Sequence, residues 1–200
     1  MTHPIDDSAR DTGPRDTGPR DTGPRDVAHA PAPSADEVAH GYAPPPEAGR
    51  TLVAVFASPV AGYLLRYGQD AGFRPVLVEP DPERARAAGG PGVTVVSSAD
   101  GYLDGTADVV LTDHHRAELG IVLRDALASE ARWVGIMGNP RHPAPHIPAL
   151  TELGVPPSEI ARVHRPIGLN IGSRTPAEIA VATLAGLIAD RNGRPGGFTH

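Results

Sequence analysis

The sequence predicts an α/β fold: a doubly wound, mainly parallel sheet with flanking helices, preceded by a disordered N-terminal tail. Three observations predict it. Short apolar runs alternate with helix-forming stretches from Thr51 onward, the pattern that βαβ units leave in a chain. The first strand, helix and second strand fit into about 30 residues, the length of one such unit. The last helix opens with a complete start signal, Thr175-Pro176-Ala177-Glu178, in which Thr175 caps, Pro176 takes the first helical position and Glu178 reaches back to the cap amide.

Residues 10–24 are three copies of Arg-Asp-Thr-Gly-Pro, and Pro44, Pro45 and Pro46 follow. A five-residue period with Gly-Pro in each unit gives turns or extended chain and nothing to bury. Residues 1–49 therefore read as a low-complexity tail, with a short helix over Ala35–His40 as a local alternative and docking as a functional one. The tail holds nine acids and four arginines, a net of −5, and the rest fifteen acids and fourteen arginines, a net of −1. The folded part is thus nearly neutral, and its overall field steers little. Residues 50–194 read as one domain and residues 195–200 as a flexible C-terminus.

Leu52–Ala57 is the first strand, an apolar run suited to a buried parallel sheet. Ser58 caps a helix whose apolar side carries Val60, Leu64, Leu65 and Tyr67, and Gly68 or Gly72 ends it. Pro75–Glu79 is the second strand, Pro82–Ala88 a short helix, Val93–Val96 the third strand and Asp108–Thr112 the fourth. Glu118–Ser129 is a helix with Leu119, Val122, Leu123, Ala126 and Leu127 on one face. Trp133–Met137 is the fifth strand. Ile147–Leu153 and Ser158–Val163 are short helices, and Pro176 to about Arg191 is the capped one. It buries Ile179, Ala182, Thr183, Gly186 and Leu187. Ala185 and Gly186 suit close packing, either on the sheet or between two subunits of a homodimer.

Composition excludes several function classes. Net charge of −6 over 200 residues argues against nucleic acid. No apolar run reaches the 18 or so residues that span a membrane, and no secretory pattern opens the chain, so a cytoplasmic protein is expected. There is no cysteine, hence no disulfide, thiolate metal site or cysteine nucleophile. All 18 basic residues are arginine. That removes a Walker A loop and Schiff-base chemistry.

Right-handed crossovers place the C-terminal strand ends along one edge, where such sheets bind ligands. The first loop there is Phe56-Ala-Ser-Pro-Val-Ala61. A dinucleotide fingerprint would put glycine at Phe56, Ser58 and Ala61. Phe56 is bulky where the turn is tight, and Pro59 has no amide to offer. Ser58 keeps a hydroxyl for a phosphate. Glu79 ends strand two where a ribose-binding acid belongs, or is a solvent-exposed acid. Asp113, His114 and His115 follow strand four. Adjacent residues on extended backbone point to opposite faces, so a polar crevice lining fits them better than one metal ion. Asn139 and Arg141 follow strand five, and Arg141 could meet an anion. Gly168 and Gly172 bracket a loop that feeds the last helix, whose N-terminus, with Asn170, Ser173, Arg174 and Thr175, suits an anion. No residue supplies obvious redox chemistry, and no metal ligand set is assigned.

These segments together resemble the XdhC/CoxI family of molybdenum-hydroxylase accessory proteins, specifically its C-terminal Rossmann-like domain. Pro166-Ile-Gly-Leu-Asn-Ile-Gly-Ser-Arg-Thr-Pro-Ala-Glu-Ile-Ala180 is similar to the family pattern PIGLDIGARTPEEIA, with Asn170 in place of aspartate. Trp133–Gly138 resembles YVGxxGS, Val110–His114 resembles VLTHD with the last two residues exchanged, and Val76–Pro80 resembles VxVxDPR. The first loop departs from the family's GAGHVG, and the cysteine-bearing N-terminal domain of longer members is replaced by the repeat tail.

The resemblance implies a stand-alone Rossmann-like domain. It implies a maturation role: binding molybdenum cofactor (molybdopterin) or a nucleotide and assisting a xanthine dehydrogenase-like molybdenum hydroxylase. Two other readings stand beside it. One is an NAD(P)-dependent oxidoreductase with a degraded fingerprint, in which His114 or His115 donates the proton. The other is a non-catalytic scaffold for protein interaction.

Overall fold

The computed structural model describes residue 36, residues 49–138, residue 141 and residues 143–197. The expected tail and its short helix lie outside the described residues, Asp36 and Gly49 excepted. So do Asn139 and the end of the expected flexible C-terminus.

Five strands form: β1 (Thr51–Val55), β2 (Arg74–Val78), β3 (Thr94–Val96), β4 (Ala107–Leu111) and β5 (Trp133–Ile136). All four pairings are parallel, in the order β3-β2-β1-β4-β5. The direction of progression reverses between β1 and β4, where Val55 lies in register with both Val78 and Leu111. That reversal opens a crevice at the C-terminal strand ends. The predicted doubly wound Rossmann-like sheet is therefore the fold that forms.

The helices are α1 (Pro59–Asp70), α2 (Pro82–Ala87), α3 (Leu119–Ala128), α4 (His146–Glu152), α5 (Pro157–Ile160) and α6 (Pro176–Arg191). Both faces of the sheet are covered, so the strands are apolar on both sides rather than alternating. One core joins Val53, Val55, Val76, Val109 and Leu111 to Leu119 and Leu123 of α3. The other joins Leu52, Ala54, Leu77 and Val110 to Leu64 and Leu65 of α1 and to Ala180, Leu184 and Leu187 of α6. Full burial of each such leucine contributes about 1.5–3 kcal/mol. α1 runs through Gly68, against which Leu52 packs.

Beyond β5 the chain returns to lay His164 beside Gly135 in a parallel bridge. The Trp133 ring stacks on His164 at 4.8 Å and 11°. It also passes so close to Gly135 that a Cβ there would lie 2.2 Å from the ring. The Trp-Val-Gly triplet is thus one packing unit.

At the N-terminal end of the sheet, the fully buried Asp108 accepts from Arg132 Nε at 2.7 Å and from Arg191 Nε at 2.6 Å. Arg132 also donates to Asp190 at 2.6 Å, and Arg191 to the Thr106 carbonyl at 2.5 Å. This network fastens the last turn of α6 to the starts of β4 and β5. Removing one member of a buried ion network leaves the rest uncompensated, at a cost of about 3–5 kcal/mol. Asp108→Ala is expected to lower stability by that amount in urea unfolding, far more than the loss of an exposed ion pair such as Arg124–Asp125.

Candidate functional site

The β1–α1 loop makes its tight turn without glycine. Phe56 adopts φ +70°, a conformation that costs an ordinary residue about 1–2 kcal/mol. Its ring is wholly buried in the core, and that burial offsets the strain. Ser58 caps α1 by accepting the Ala61 amide at 3.0 Å, and its hydroxyl donates to Thr112 Oγ1 at 2.9 Å. Thr112 in turn donates to the Phe56 carbonyl at 2.8 Å. The hydroxyl expected to meet a phosphate is therefore engaged in tying the β1 and β4 loops together.

Glu79 is neither an exposed acid nor an open ribose acceptor. It is fully buried. Its Oε2 accepts from the Ala57 amide at 2.8 Å and Arg116 Nη1 at 3.1 Å, and its Oε1 from the Asp81 amide at 3.0 Å and Arg116 Nη2 at 2.9 Å. Four donors fill the four acceptor positions of a carboxylate. Arg116 also reaches Glu118 at 3.2 Å and lies over the Phe56 ring at 4.7 Å. Burial pushes the Glu79 carboxyl up, but the Arg116 fork and the two amides outweigh it and hold the group below the ordinary value of 4.5. The same contacts raise Arg116 further above its ordinary range.

After β4, the two histidines depart from the expected opposite orientation. Asp113 Oδ1 accepts the His115 amide at 2.9 Å, an Asx-type turn. The backbone bends there, and the His114 and His115 rings lie 4.1 Å apart. Burial first, and then the neighbouring His115, hold His114 below its usual value. A neutral imidazole results near neutral pH, which is a poor proton donor. Among the described residues, no group of three or more His, Asp or Glu side chains is placed to hold a metal.

The loop before α6 is docked on the helix itself. Gly168 (φ +82°) lies so close that a Cβ would stand 3.0 Å from Ala182 C and Thr183 N. A Cβ on Gly186 would meet Gly168 Cα at 3.0 Å, and the Leu169 amide donates to the Ala182 carbonyl at 3.0 Å. Gly186 thus serves this internal contact. The capping box forms as the sequence predicts: Thr175 Oγ1 accepts the Glu178 amide, and Glu178 Oε2 accepts the Arg174 and Thr175 amides at 2.7 and 3.1 Å. These amide bonds hold the Glu178 carboxyl below its usual value. The carboxylate thus takes the two amides that lead into the helix, and the Thr175 hydroxyl takes that of Glu178. The Arg174 guanidinium has no partner among the described residues.

A crevice of about 1070 Å³ lies between this loop and the ends of β4 and β5. Of the predicted residues, Arg141, Gly168, Asn170, Gly172, Ser173 and Arg174 line it, together with His114. Ser58, Glu79, Asp113 and Thr175 do not; they hold the backbone around it. Val60, Met137, Ile179 and Thr183 also line it and were not foreseen, because helical and strand patterns mark them simply as apolar or interior.

The sequence profile of the XdhC Rossmann domain matches residues 52–187. The chain belongs to the XdhC family. A 66-residue stretch is 42% identical to the uncharacterized protein YqeB of Escherichia coli (strain K12), covering 33% of this chain and 12% of that protein. The fold is similar to the crystal structure of a xanthine dehydrogenase from Bacillus halodurans, with a TM-score of 0.60 and 21% identity. That likeness covers 72% of this chain and 45% of the other. The chain thus spans less than half the length of either relative. In the XdhC-type segments around Trp133 and Gly168, Gly135 lies against the Trp133 ring and Gly168 against the α6 backbone.

Two outcomes follow from this geometry. Both Phe56→Ala and Phe56→Gly lose the buried ring, worth about 3–5 kcal/mol. The glycine variant should be the more stable of the two by about 1 kcal/mol, since only alanine keeps the φ strain; thermal unfolding of the pair checks this. For pH, a carboxyl held below its unfolded value stabilises the fold above that value, and the contribution is lost as pH falls through the folded pKa. Stability should drop below about pH 4.5, the unfolded Glu value. Glu79→Gln should be less stable near neutral pH and show a shallower acid decline in urea midpoints.

Proposed function

We propose that this chain is an accessory protein of XdhC type. It takes a phosphate-bearing ligand, molybdenum cofactor (molybdopterin) or a nucleotide, into the crevice over β4 and β5 and assists a molybdenum hydroxylase of the xanthine dehydrogenase kind. Family membership and the crevice support this reading together. The observation that carries it is the placement of the family's most specific segment. Residues 168–174 line the crevice, and among the described residues the Arg174 guanidinium has no partner.

The donor set fits such a cargo. Arg174 and Arg141 can neutralise a phosphate, bidentately where the fork aligns. Asn170 and Ser173 offer hydrogen bonds to a ring edge. Cavities of about 300–1,000 Å³ accommodate ligands of this size. Molybdenum and its sulfur ligands belong to the cargo, so a cysteine-free chain need only grip, orient and shield it.

The test is native mass spectrometry of protein expressed in a host that makes molybdenum cofactor. Wild type should carry a bound mass matching a pterin or nucleotide. Arg174→Ala should lose about tenfold or more in affinity, as expected for a charged hydrogen bond worth about 1.5–3 kcal/mol, with its melting temperature unchanged. Unaltered occupancy in that variant would remove the site assignment. Bare wild-type protein that still captures a hydroxylase subunit would favour the scaffold reading.

A further inference from the structure

We infer that Arg116 closes the half of the crevice over β1 and β2, and that ligand is confined to the half over β4 and β5. The ligand class that fits is a phosphate ester of mononucleotide size, not a dinucleotide. The inference rests on the reading of the crevice as a ligand site.

A dinucleotide on a doubly wound sheet crosses the point where strand order reverses. It sets one ribose on the acid ending β2 and its pyrophosphate against the first turn and the N-terminus of the first helix. This chain keeps that acid, Glu79, and fills it. A ribose hydroxyl would have to displace the Arg116 fork, whose side chain is only 10% exposed and bonds both carboxylate oxygens. Displacement would strand a guanidinium and a wholly buried carboxylate, and breaking such a pair is strongly unfavourable. The Phe56 ring beneath Arg116 supports the fork from the other side.

The first turn is closed as well. The Phe56 amide donates to the Val78 carbonyl at 2.8 Å, the Ala57 amide to Glu79 at 2.8 Å, and the Ala61 amide to Ser58 Oγ at 3.0 Å. The Gly62 amide donates to the Ser58 carbonyl at 3.1 Å, and Pro59 has no N–H. Of the first-turn amides only those of Ser58 and Val60 are not taken by the chain itself, and Pro59 between them offers none, so the cradle for a pyrophosphate is reduced. The β4–β5 half is different: it holds the crevice of about 1070 Å³, lined by the Arg174 side chain and by no residue of the Glu79–Arg116 pair. One phosphate and one ring system fit that half.

The experiment is an NADH fluorescence titration of the full chain. Wild type is expected to show no saturable NADH binding up to millimolar concentration. Arg116→Ser frees Glu79 to accept ribose hydroxyls and should bind NADH at least tenfold more tightly. Adding Glu79→Ala to that variant should erase the gain. Micromolar NADH binding by wild type, or a folded Arg116→Ser with no gain, overturns the inference. If Arg116→Ser does not fold, Arg116→Lys keeps the charge and loses the second arm of the fork. It should gain about threefold, and no gain again overturns the inference. These variants read only the β1–β2 half. An inert Arg174→Ala would remove the crevice assignment while leaving an Arg116→Ser gain standing, so the two failures are distinguishable.

Discussion

The buried carboxylate of Glu79 is the constraint around which the C-terminal edge of the sheet is arranged. It binds amides on both sides of the β1–β2 pair, from Ala57 and from Asp81, and receives both arms of Arg116 from the loop after β4. Three connections of the sheet therefore meet at one group. Burial of charge opposes this arrangement, and only full hydrogen bonding makes it tolerable. Its benefit is geometric. With Ala57 and Arg116 held, Phe56 is forced into its left-handed turn, and the ring is trapped between the core and the guanidinium.

The opposite wall is built by different physics. Residues 168–186 rely on two backbones approaching within van der Waals contact, which only glycine at both Gly168 and Gly186 permits. The helix start beside them is satisfied internally by Glu178, whose charge at the α6 N-terminus already complements the helix dipole. The Arg174 side chain lines the crevice beside this helix start.

The two ends of the sheet each carry a buried acid. Asp108, at the N-terminal end, gathers Arg132 and Arg191 and fastens α6 to the sheet. Glu79, at the C-terminal end, gathers Arg116 and ties the loops after β1, β2 and β4 together. In a chain without lysine, arginine serves at both places. Its planar fork meets a carboxylate in two bonds and keeps its charge when buried.

The sequence by itself determined the parallel α/β class, the five strands, the capped last helix and the family. These depend on period, capping and local residue order, which are properties of neighbouring positions. It also placed six of the crevice-lining residues, because loops after parallel strands converge on one edge. Tertiary structure alone decided how those residues are used. The partnership of Glu79 with Arg116 spans 37 residues and that of Asp108 with Arg191 spans 83, and no local pattern marks either. The same distance effect turned Ser58 inward to Thr112 and brought the His114 and His115 rings together. Backbone proximity set by the fold, rather than residue type, settles which polar groups are spent on the protein and which remain for a ligand.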